Sequence, residues 1–220
     1  MNSIENRKKP APLISCEGID GSGKSTLVRL LLDYLTKKNL SVFLTKEPGG
    51  TRLGKNIRQI LQHHDEPINP MSEFLLFAAD RADHIKTVVQ PLIQKGTWVI
   101  SDRMHDSSVA YQGYGRGISV EHIHHVNQWA LQGVEQDITI YLKIDPQTAH
   151  ERINARNETK TRFEQETEEF WHSVIDGFES IFSKRNNVIT VDAKKSSADI
   201  FIDVINHPLF INLLESDAVQ

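Results

Sequence analysis

The sequence contains Gly18-Ile19-Asp20-Gly21-Ser22-Gly23-Lys24-Ser25-Thr26, which has the spacing G-x-x-x-x-G-K-S and follows a short apolar run. Glycines at this spacing let successive backbone N–H groups turn inward as an anion nest, and the positive end of a following helix adds to it. Lys24 is then placed to reach β- and γ-phosphates, and Ser25 to bind Mg²⁺. A plain glycine turn before a helix is the alternative, but the spacing, the lysine, the serine and the context together predict a nucleoside triphosphate site.

Short apolar runs alternate with helix-length segments on either side of this loop. The apolar runs are Leu13–Glu17, Leu40–Thr45, Thr97–Ser101, Asp137–Ile144 and Asn187–Val191. Helical patterns between them include Lys24–Lys38 and Met71–Gln94. This alternation predicts an α/β fold, with a parallel sheet, right-handed crossovers and helices on both faces. Ligands of such sheets bind beyond the carboxyl ends of the strands, so functional side chains are expected there.

Composition limits the classes of function. The chain has 220 residues, 25 basic and 29 acidic side chains and a net charge of -4, which argues against binding of long nucleic acid. No apolar run is long enough for a membrane helix, and residues 1–12 have no apolar stretch typical of a secretory signal. The single cysteine, Cys16, fits a reducing compartment. These features predict a cytoplasmic protein with no membrane partner.

The chain reads as one domain with two short ends. Residues 1–12, with Pro10 and Pro12, are predicted to be a flexible N-terminal tail, and residues 207–220 form a C-terminal tail. No linker or repeat divides residues 13–206, which are predicted to be a single P-loop domain. The apolar residues of the C-terminal tail suit packing on this domain or on a partner.

A carboxylate and an arginine follow the third apolar run, at Asp102 and Arg103. A carboxylate at the end of a strand beside a P-loop is well placed to hold Mg²⁺ or its water. The adjacent arginine would be a permanent, forked phosphate ligand. A surface ion pair is the alternative, but the position after a buried strand favours a functional site.

Two further segments carry a family resemblance: EPGGT at residues 47–51 and DSSVAYQGYGRG at residues 106–117. Together with the P-loop, they make the sequence from Leu13 to Ile205 closely similar to thymidylate kinases. The resemblance implies a P-loop nucleoside monophosphate kinase fold, with a five-stranded parallel sheet, helices on both faces and a short lid. It also implies a homodimer that transfers the γ-phosphoryl of MgATP to dTMP, giving dTDP and ADP.

The resemblance assigns a thymine pocket to four residues. Phe77 matches the aromatic residue that stacks on thymine, and Arg81 matches the arginine that hydrogen-bonds the base. Ser108 and Gln112 match further positions that contact the base. Phe77 and Arg81 are four residues apart in a predicted helix, so they share a face. Core packing is the alternative for Phe77, because apolar residues surround it in the sequence.

The sugar and the phosphate of the acceptor are assigned in the same way. Tyr111 matches a residue beside the sugar, and Asp20 an acid near the sugar hydroxyl. Arg58 and Arg103 match ligands of the monophosphate. Glu47 matches an acid near the sugar–phosphate end, although a solvated loop glutamate is an alternative for it.

Three arginines are assigned to a lid at about residues 152–163: Arg152, Arg156 and Arg162. The family has two arrangements, with the catalytic arginine either in the P-loop or in the lid. The variable P-loop positions 19–22 contain no arginine, so the chain resembles the lid-arginine type. Mobile arginines suit phosphoryl transfer, because they neutralise the charge of the transition state. A basic solvated helix face is the alternative.

Three positions depart from the family pattern. Met104 stands where Tyr, Phe or His is common, Lys46 replaces an arginine before the EPGG segment, and Thr161 replaces an acidic residue. Lysine lacks the fork with which arginine binds two phosphate oxygens. Two alternative functions remain: a kinase for another (deoxy)nucleoside monophosphate, and a nucleotide-binding regulator without turnover.

Overall fold

The computed structural model describes residues 10–63, 66–156 and 158–218. Its sheet has the order β2-β3-β1-β4-β5, and every neighbouring pair is parallel. The strands are β1 Leu13–Glu17, β2 Val42–Lys46, β3 Trp98–Asp102, β4 Ile138–Lys143 and β5 Val188–Asp192. Each lies within two residues of a predicted apolar run at either end, so the predicted five-stranded parallel sheet is confirmed.

Helices surround the sheet. They are α1 Lys24–Lys37, α2 Arg52–His63, α3 Pro70–His84, α4 Gln90–Gln94, α5 His105–Ser108, α6 Val120–Leu131, α7 Pro146–Ala155, α8 Glu168–Phe182, α9 Ser197–Ile205 and α10 Pro208–Ala218. The side chains of β1 are all buried, because β1 lies in the middle of the sheet and is covered on both faces. In the described ranges, no helix is long and apolar enough to cross a bilayer.

The long helix predicted over Met71–Gln94 is present, with a widened turn inside it. Ile85–Val89 forms a π-helical turn between α3 and α4. The reason lies in Pro91, which has no N–H group with which to continue the regular ladder. A second π-helical segment, Val109–Gly115, follows α5, and its Arg116 N–H bonds to the carbonyl of Tyr111 at 2.9 Å. Such segments are frequent at functional sites.

Part of each predicted tail packs on the domain, which for the C-terminal tail is one of the two alternatives that the sequence left open. Residues 1–9 lie outside the described part of the chain, but Ala11 is buried and its N–H bonds to the carbonyl of Ile93 at 2.9 Å. At the other end, α10 packs on the core through Phe210 and Leu213. The packed structure therefore begins before residue 13 and continues past residue 206, because apolar side chains in both segments have core surface to cover. Residues 219–220 are outside the described range.

Candidate active site

A cleft of about 530 Å³ lies at the carboxyl edge of the sheet. It is bordered by the loop after β1, the ends of β2 and β3, helix α3, the π-helical segment Val109–Gly115 and the segment after α7. The predicted site residues that line it are Asp20, Gly21, Gly23, Lys24, Ser25, Thr26, Glu47, Arg58, Phe77, Arg81, Asp102, Arg103, Ser108, Tyr111, Gln112, Arg152 and Arg156. Four predicted residues do not line it: Gly18, Ile19, Ser22 and Arg162.

The P-loop backbone has the shape that its glycines permit. Gly18 and Gly21 have φ angles of 140° and 80°, which side chains rarely allow. A Cβ atom on Gly21 would lie 2.5 Å from the carbonyl oxygen of Ala149, so any other residue would push the loop away from α7. Helix α1 begins directly after Gly23, and its N-terminal N–H groups face the loop.

Lys24 is buried at the start of α1. Its Nζ donates to the carbonyl oxygens of Gly18 at 3.1 Å and Ile19 at 2.9 Å. Burial, and then the positive charge of Arg103, lower the pKa of Lys24 to about 8. A bound polyphosphate would add its negative charge to that of Asp20, whose carboxylate lies 3.8 Å from the ammonium group.

Ser25 and Asp102 meet at the candidate metal position. The Ser25 hydroxyl donates to Oδ2 of Asp102 at 2.8 Å, although the two residues are distant in sequence. Parallel pairing of β1 with β3 brings the loop after one strand against the end of the other. A hydroxyl and a carboxylate are hard oxygen ligands of the kind that Mg²⁺ prefers.

Arg103 follows β3 and extends its guanidinium over the P-loop. One terminal nitrogen donates to the Gly18 carbonyl at 2.7 Å and to Ser107 Oγ at 3.1 Å. The other donates to Asp20 Oδ1 at 2.5 Å and to Tyr111 Oη at 3.2 Å. Burial alone would raise the pKa of Asp20, but the adjacent positive charges, with that of Arg103 foremost, lower it. Three of the residues predicted for the sugar and the phosphate, Asp20, Arg103 and Tyr111, thus form one connected group.

Glu17 fixes the backbone from which Arg103 projects. Arg103 has a φ of 72°, a left-handed conformation that is uncommon for residues other than glycine. The buried Glu17 carboxylate accepts from the Met104 N–H at 2.7 Å and from the Ser107 hydroxyl at 2.5 Å. Burial, and then the negative charge of Asp106, raise the pKa of Glu17 to about 8.

This raised pKa predicts a pH effect on stability. The folded chain keeps a proton on Glu17 that the unfolded chain releases near its ordinary pKa of 4.5, so the contribution of Glu17 to stability falls as pH rises from about 4.5 to about 8. Glu17→Gln removes this titration. We therefore compare the free energies of unfolding of Glu17→Gln and wild type by urea titration at pH 5 and pH 8. The difference, variant minus wild type, should be at least about 1 kcal/mol larger at pH 8 than at pH 5. A difference that stays constant with pH would contradict this protonation state.

On the base side of the cleft, Phe77 and Arg81 lie on one face of α3. The Phe77 ring is half-buried, and its centroid lies 6.0 Å from that of Phe163. The Arg81 side chain is almost fully buried, and its Nε donates to Glu47 Oε2 at 2.9 Å. Its terminal nitrogens donate to Asn127 at 2.7 Å, to Ser108 at 3.0 Å and to a main-chain carbonyl.

Glu47 is a buried residue, so the alternative of a solvated loop glutamate is wrong. Its second carboxylate oxygen lies 2.9 Å from Nδ1 of His84, whose Nε2 lies 2.7 Å from the Thr45 hydroxyl. Burial alone would raise the pKa of Glu47, but the charge of Arg81 and the His84 contact lower it. Both oxygens of Glu47 therefore engage protein side chains, and Glu47 orients Arg81.

The three lid arginines differ in their surroundings. Arg152 lines the main cleft and also a second cleft of about 250 Å³ beside the P-loop. Arg156 is paired with Glu164. Arg162 does not line the cleft and is paired with the buried carboxylate of Glu73 on α3. The lid prediction also covered residue 157, which lies outside the described residues.

Comparisons with known proteins agree with this geometry. The model of the family described as "Thymidylate kinase" matches residues 16–204. A thymidylate kinase of Carboxydothermus hydrogenoformans is 40% identical over 191 residues, which cover 87% of this chain and 93% of that protein. A thymidylate kinase of Vesicomyosocius okutanii is 43% identical over 166 residues, 75% of this chain and 80% of its own. A third, of Thermosipho africanus, is 40% identical over 191 residues, 87% of this chain and 94% of its own.

The chain belongs to the thymidylate kinase family. The observed parallel sheet, with a P-loop after its central strand, is the P-loop nucleoside monophosphate kinase fold that the sequence predicted.

Two of the departures from the thymidylate kinase pattern have a structural explanation. Thr161 and Glu164 bond reciprocally: the Thr161 N–H donates to the glutamate at 2.8 Å, and the Glu164 N–H donates to the threonine hydroxyl at 3.3 Å. This is a capping box, in which threonine replaces the acidic residue as the cap of the turn Phe163–Gln165. Met104 is buried in an apolar cluster with residues such as Val99. Nothing in the structure explains why Lys46 replaces arginine.

Sequence reasoning missed several residues of this thymidylate kinase site. They are Glu17, Glu73, His84, Asn127 and Phe163, none of which was predicted to have a role. A glutamate at the end of a buried apolar run, as in Leu13–Glu17, is a signal that can be read from sequence, because an unpartnered charge there would be costly. Asn127 and Phe163 carry no such signal, since only the tertiary structure brings Asn127 to Arg81 and Phe163 to the cleft.

Proposed function

We propose that this chain transfers the γ-phosphoryl group of ATP to dTMP, giving dTDP and ADP. One observation carries the proposal: a single cleft joins the P-loop, with Lys24, to a pocket that contains Phe77 and Arg81. A phosphate-binding loop at one end and an aromatic residue beside fixed polar groups at the other end suit two nucleotides placed end to end.

The donor nucleotide is assigned to the P-loop side. Its phosphates would lie on the loop amides and on Lys24. The second cleft has space for the adenosine part. On the P-loop side it is lined by Gly21, Gly23, Thr26 and Leu27, and on the far side by Arg152, Lys195, Ser197 and Ile200. The adenosine pocket was not predicted from the sequence, because its far wall belongs to α9, which is remote from the P-loop in the chain.

Mg²⁺ is part of the proposal, held by Ser25 and by Asp102 or its water. Their oxygen atoms are 2.8 Å apart, so both can face one small cation or its hydration shell. When bound, the ion neutralises charge on the donor phosphates. Asp102 keeps the serine hydroxyl oriented toward this position in the ligand-free chain.

The acceptor phosphate is assigned to Arg58 and Arg103. Arg58 lines the cleft and at present donates to the Pro48 carbonyl at 3.1 Å, and Arg103 is bonded to Asp20. Asp20 and Tyr111 stand beside the same position and are assigned to the sugar. No general base is needed, because the attacking oxygen belongs to a phosphate that is already an anion.

The lid arginines are assigned to charge neutralisation in the transition state. Arg156 and Arg162 are held by Glu164 and Glu73 in the ligand-free chain, so either must exchange a carboxylate for a phosphate to act there. Arg152 already lines the cleft. Closure over the two nucleotides would also exclude water, which could otherwise accept the phosphoryl group.

The assay for this function measures ADP release with ATP, Mg²⁺ and a panel of nucleoside monophosphates. We expect dTMP to be phosphorylated far faster than dCMP, dGMP or AMP, and activity to be lost when EDTA removes the metal. Equal rates across the panel would favour a kinase for another nucleotide. Binding of ATP without turnover for any acceptor would favour the regulator.

A homodimer is also proposed, through the layer formed by α2, α3 and α6. Exposed apolar side chains on these helices are Leu53, Ile60, Met71, Leu75 and Trp129. Trp129 is 81% exposed, which is unusual for a side chain of this size and typical of an interface anchor.

A cytoplasmic location is part of the same proposal, supported by a single, buried cysteine.

We expect Trp129→Glu to convert the dimer into a monomer, because a charge would be buried at the centre of an apolar interface. Light scattering coupled to size-exclusion chromatography measures the molar mass. Ile202→Glu is the matched control, since Ile202 is 49% exposed on α9, away from this layer, and should leave the mass unchanged. A wild-type chain that is monomeric at micromolar concentration would refute the dimer.

A further inference from the structure

A buried carboxylate, Glu73, lies behind the base pocket and contacts three elements. It accepts from Gln112 Nε2 at 2.9 Å, in the π-helical segment that lines the cleft. Arg116 donates to it at 3.3 and 3.4 Å, and Arg162 of the lid is paired with it. So far this carboxylate has been described only as the partner of Arg162.

The contact with Glu73 decides which end of the Gln112 amide is left for a ligand. An ionised carboxylate only accepts hydrogen bonds, so the amide must turn its NH₂ group toward Glu73. Arg116 and Arg162 pair with the same carboxylate, so donors surround its oxygens, which act as acceptors. The Gln112 carbonyl oxygen is then the free end. Within the described part of the chain, it has no hydrogen-bond partner, and Gln112 lines the cleft.

Arg81 contributes hydrogen-bond donors to the same pocket, whereas Gln112 contributes an acceptor. Four hydrogen bonds from its guanidinium go to Glu47, Asn127, Ser108 and the Met104 carbonyl. A guanidinium has five N–H groups, so one donor remains among the described contacts. The pocket therefore offers a donor from Arg81 and an acceptor from Gln112.

These two groups match the edge of thymine and are opposite to the edge of cytosine. Thymine presents the O4 acceptor next to the N3–H donor, whereas cytosine presents an amino donor next to the N3 acceptor. We propose that Glu73 is a specificity-determining residue: by fixing the polarity of the Gln112 amide, it makes the pocket accept thymine and reject cytosine. Glu73 does not touch the nucleotide and acts as a positioning residue. The inference rests on the proposed function and deepens it.

The substitution Glu73→Gln removes this polarity while keeping the size of the side chain. A glutamine at position 73 both donates and accepts, so the Gln112 amide can turn its NH₂ group into the cleft, where it suits the N3 atom of cytosine. We expect the ratio of kcat/KM for dTMP to that for dCMP to fall at least about tenfold. The ratio for dTMP to dUMP should stay unchanged, because uracil and thymine present the same polar edge.

Arg162→Gln is the matched variant for the lid. It removes the other function of Glu73, its ion pair with Arg162, but leaves the Glu73–Gln112 hydrogen bond intact. This variant should lower kcat for dTMP, dUMP and dCMP alike and keep their ratios. A Glu73→Gln variant that loses stability or activity but keeps the dTMP/dCMP ratio within twofold of wild type would overturn the inference.

Two further measurements complete the test. If circular dichroism shows that Glu73→Gln is unfolded, Glu73→Asp decides, because it keeps the negative charge beside Arg116 and Arg162 but withdraws the carboxylate from the Gln112 amide. A tenfold fall of the dTMP/dCMP ratio supports the inference, and an unchanged ratio overturns it. Failure of the proposed function itself would be seen earlier and separately, as a wild-type enzyme that does not prefer dTMP to dCMP.

Discussion

Replacing Lys24 by methionine is expected to lower kcat for dTMP phosphorylation by about 10³-fold. Methionine keeps the apolar stem of the side chain within the P-loop and removes only the ammonium group. That group is buried at the start of α1 and donates hydrogen bonds to the Gly18 and Ile19 carbonyls, beside the proposed position of the donor phosphates. Without the ammonium group, no P-loop side chain provides a positive charge to stabilise the negative charge that develops on the transferred phosphoryl group.

The measurement is steady-state ADP release, together with the dissociation constant of dTMP by calorimetry. We expect dTMP affinity to be unchanged, since the donor is assigned to the P-loop side of the cleft. Lys37→Met is the matched control, because Lys37 is exposed at the far end of the same helix and should leave kcat unchanged. A Lys24→Met enzyme with a kcat within tenfold of wild type would remove Lys24 from the transfer step.

The sheet could be predicted from sequence because its information is local. Each strand lies in a short, largely apolar run, and central strands such as β1 are buried on both faces, so most of their side chains are apolar. The widened turns at Ile85–Val89 and Val109–Gly115 could not be predicted in this way. A π-helical turn changes the backbone by one residue per turn without changing the hydrophobic pattern that identifies a helix.

The residues that line the cleft were easier to predict than the residues that hold them in place. Lys24, Asp102 and Arg103 lie in or beside recognisable motifs at strand ends, and the structure brings all three to one cleft. Arg162 was predicted to be catalytic, yet it is paired with Glu73 outside the cleft lining. The buried Glu73 carboxylate stabilises that position, and sequence spacing says nothing about such a distant partner.

Arg81→Lys is the second prediction with a large expected effect. Lysine keeps a positive charge beside Glu47, whose buried carboxylate would otherwise be left with only His84, so the variant should fold. An ammonium group has three donors and no planar fork, and it cannot serve Glu47, Asn127 and a base at the same time. We expect KM for dTMP to rise about 10- to 100-fold, while KM for ATP stays unchanged.

The reason for this asymmetry between the two substrates is the position of Arg81. Its guanidinium donates four hydrogen bonds, to the residue that follows β2, to α6, to the segment after β3 and to α5, and none of these partners belongs to the P-loop. Arg29→Lys is the matched control, because Arg29 is exposed on α1 and the same exchange there should leave both KM values unchanged. The four bonds fix the direction of the remaining N–H group, so the loss of the planar fork should by itself weaken dTMP binding. An unchanged KM for dTMP in Arg81→Lys would mean that the base is recognised elsewhere.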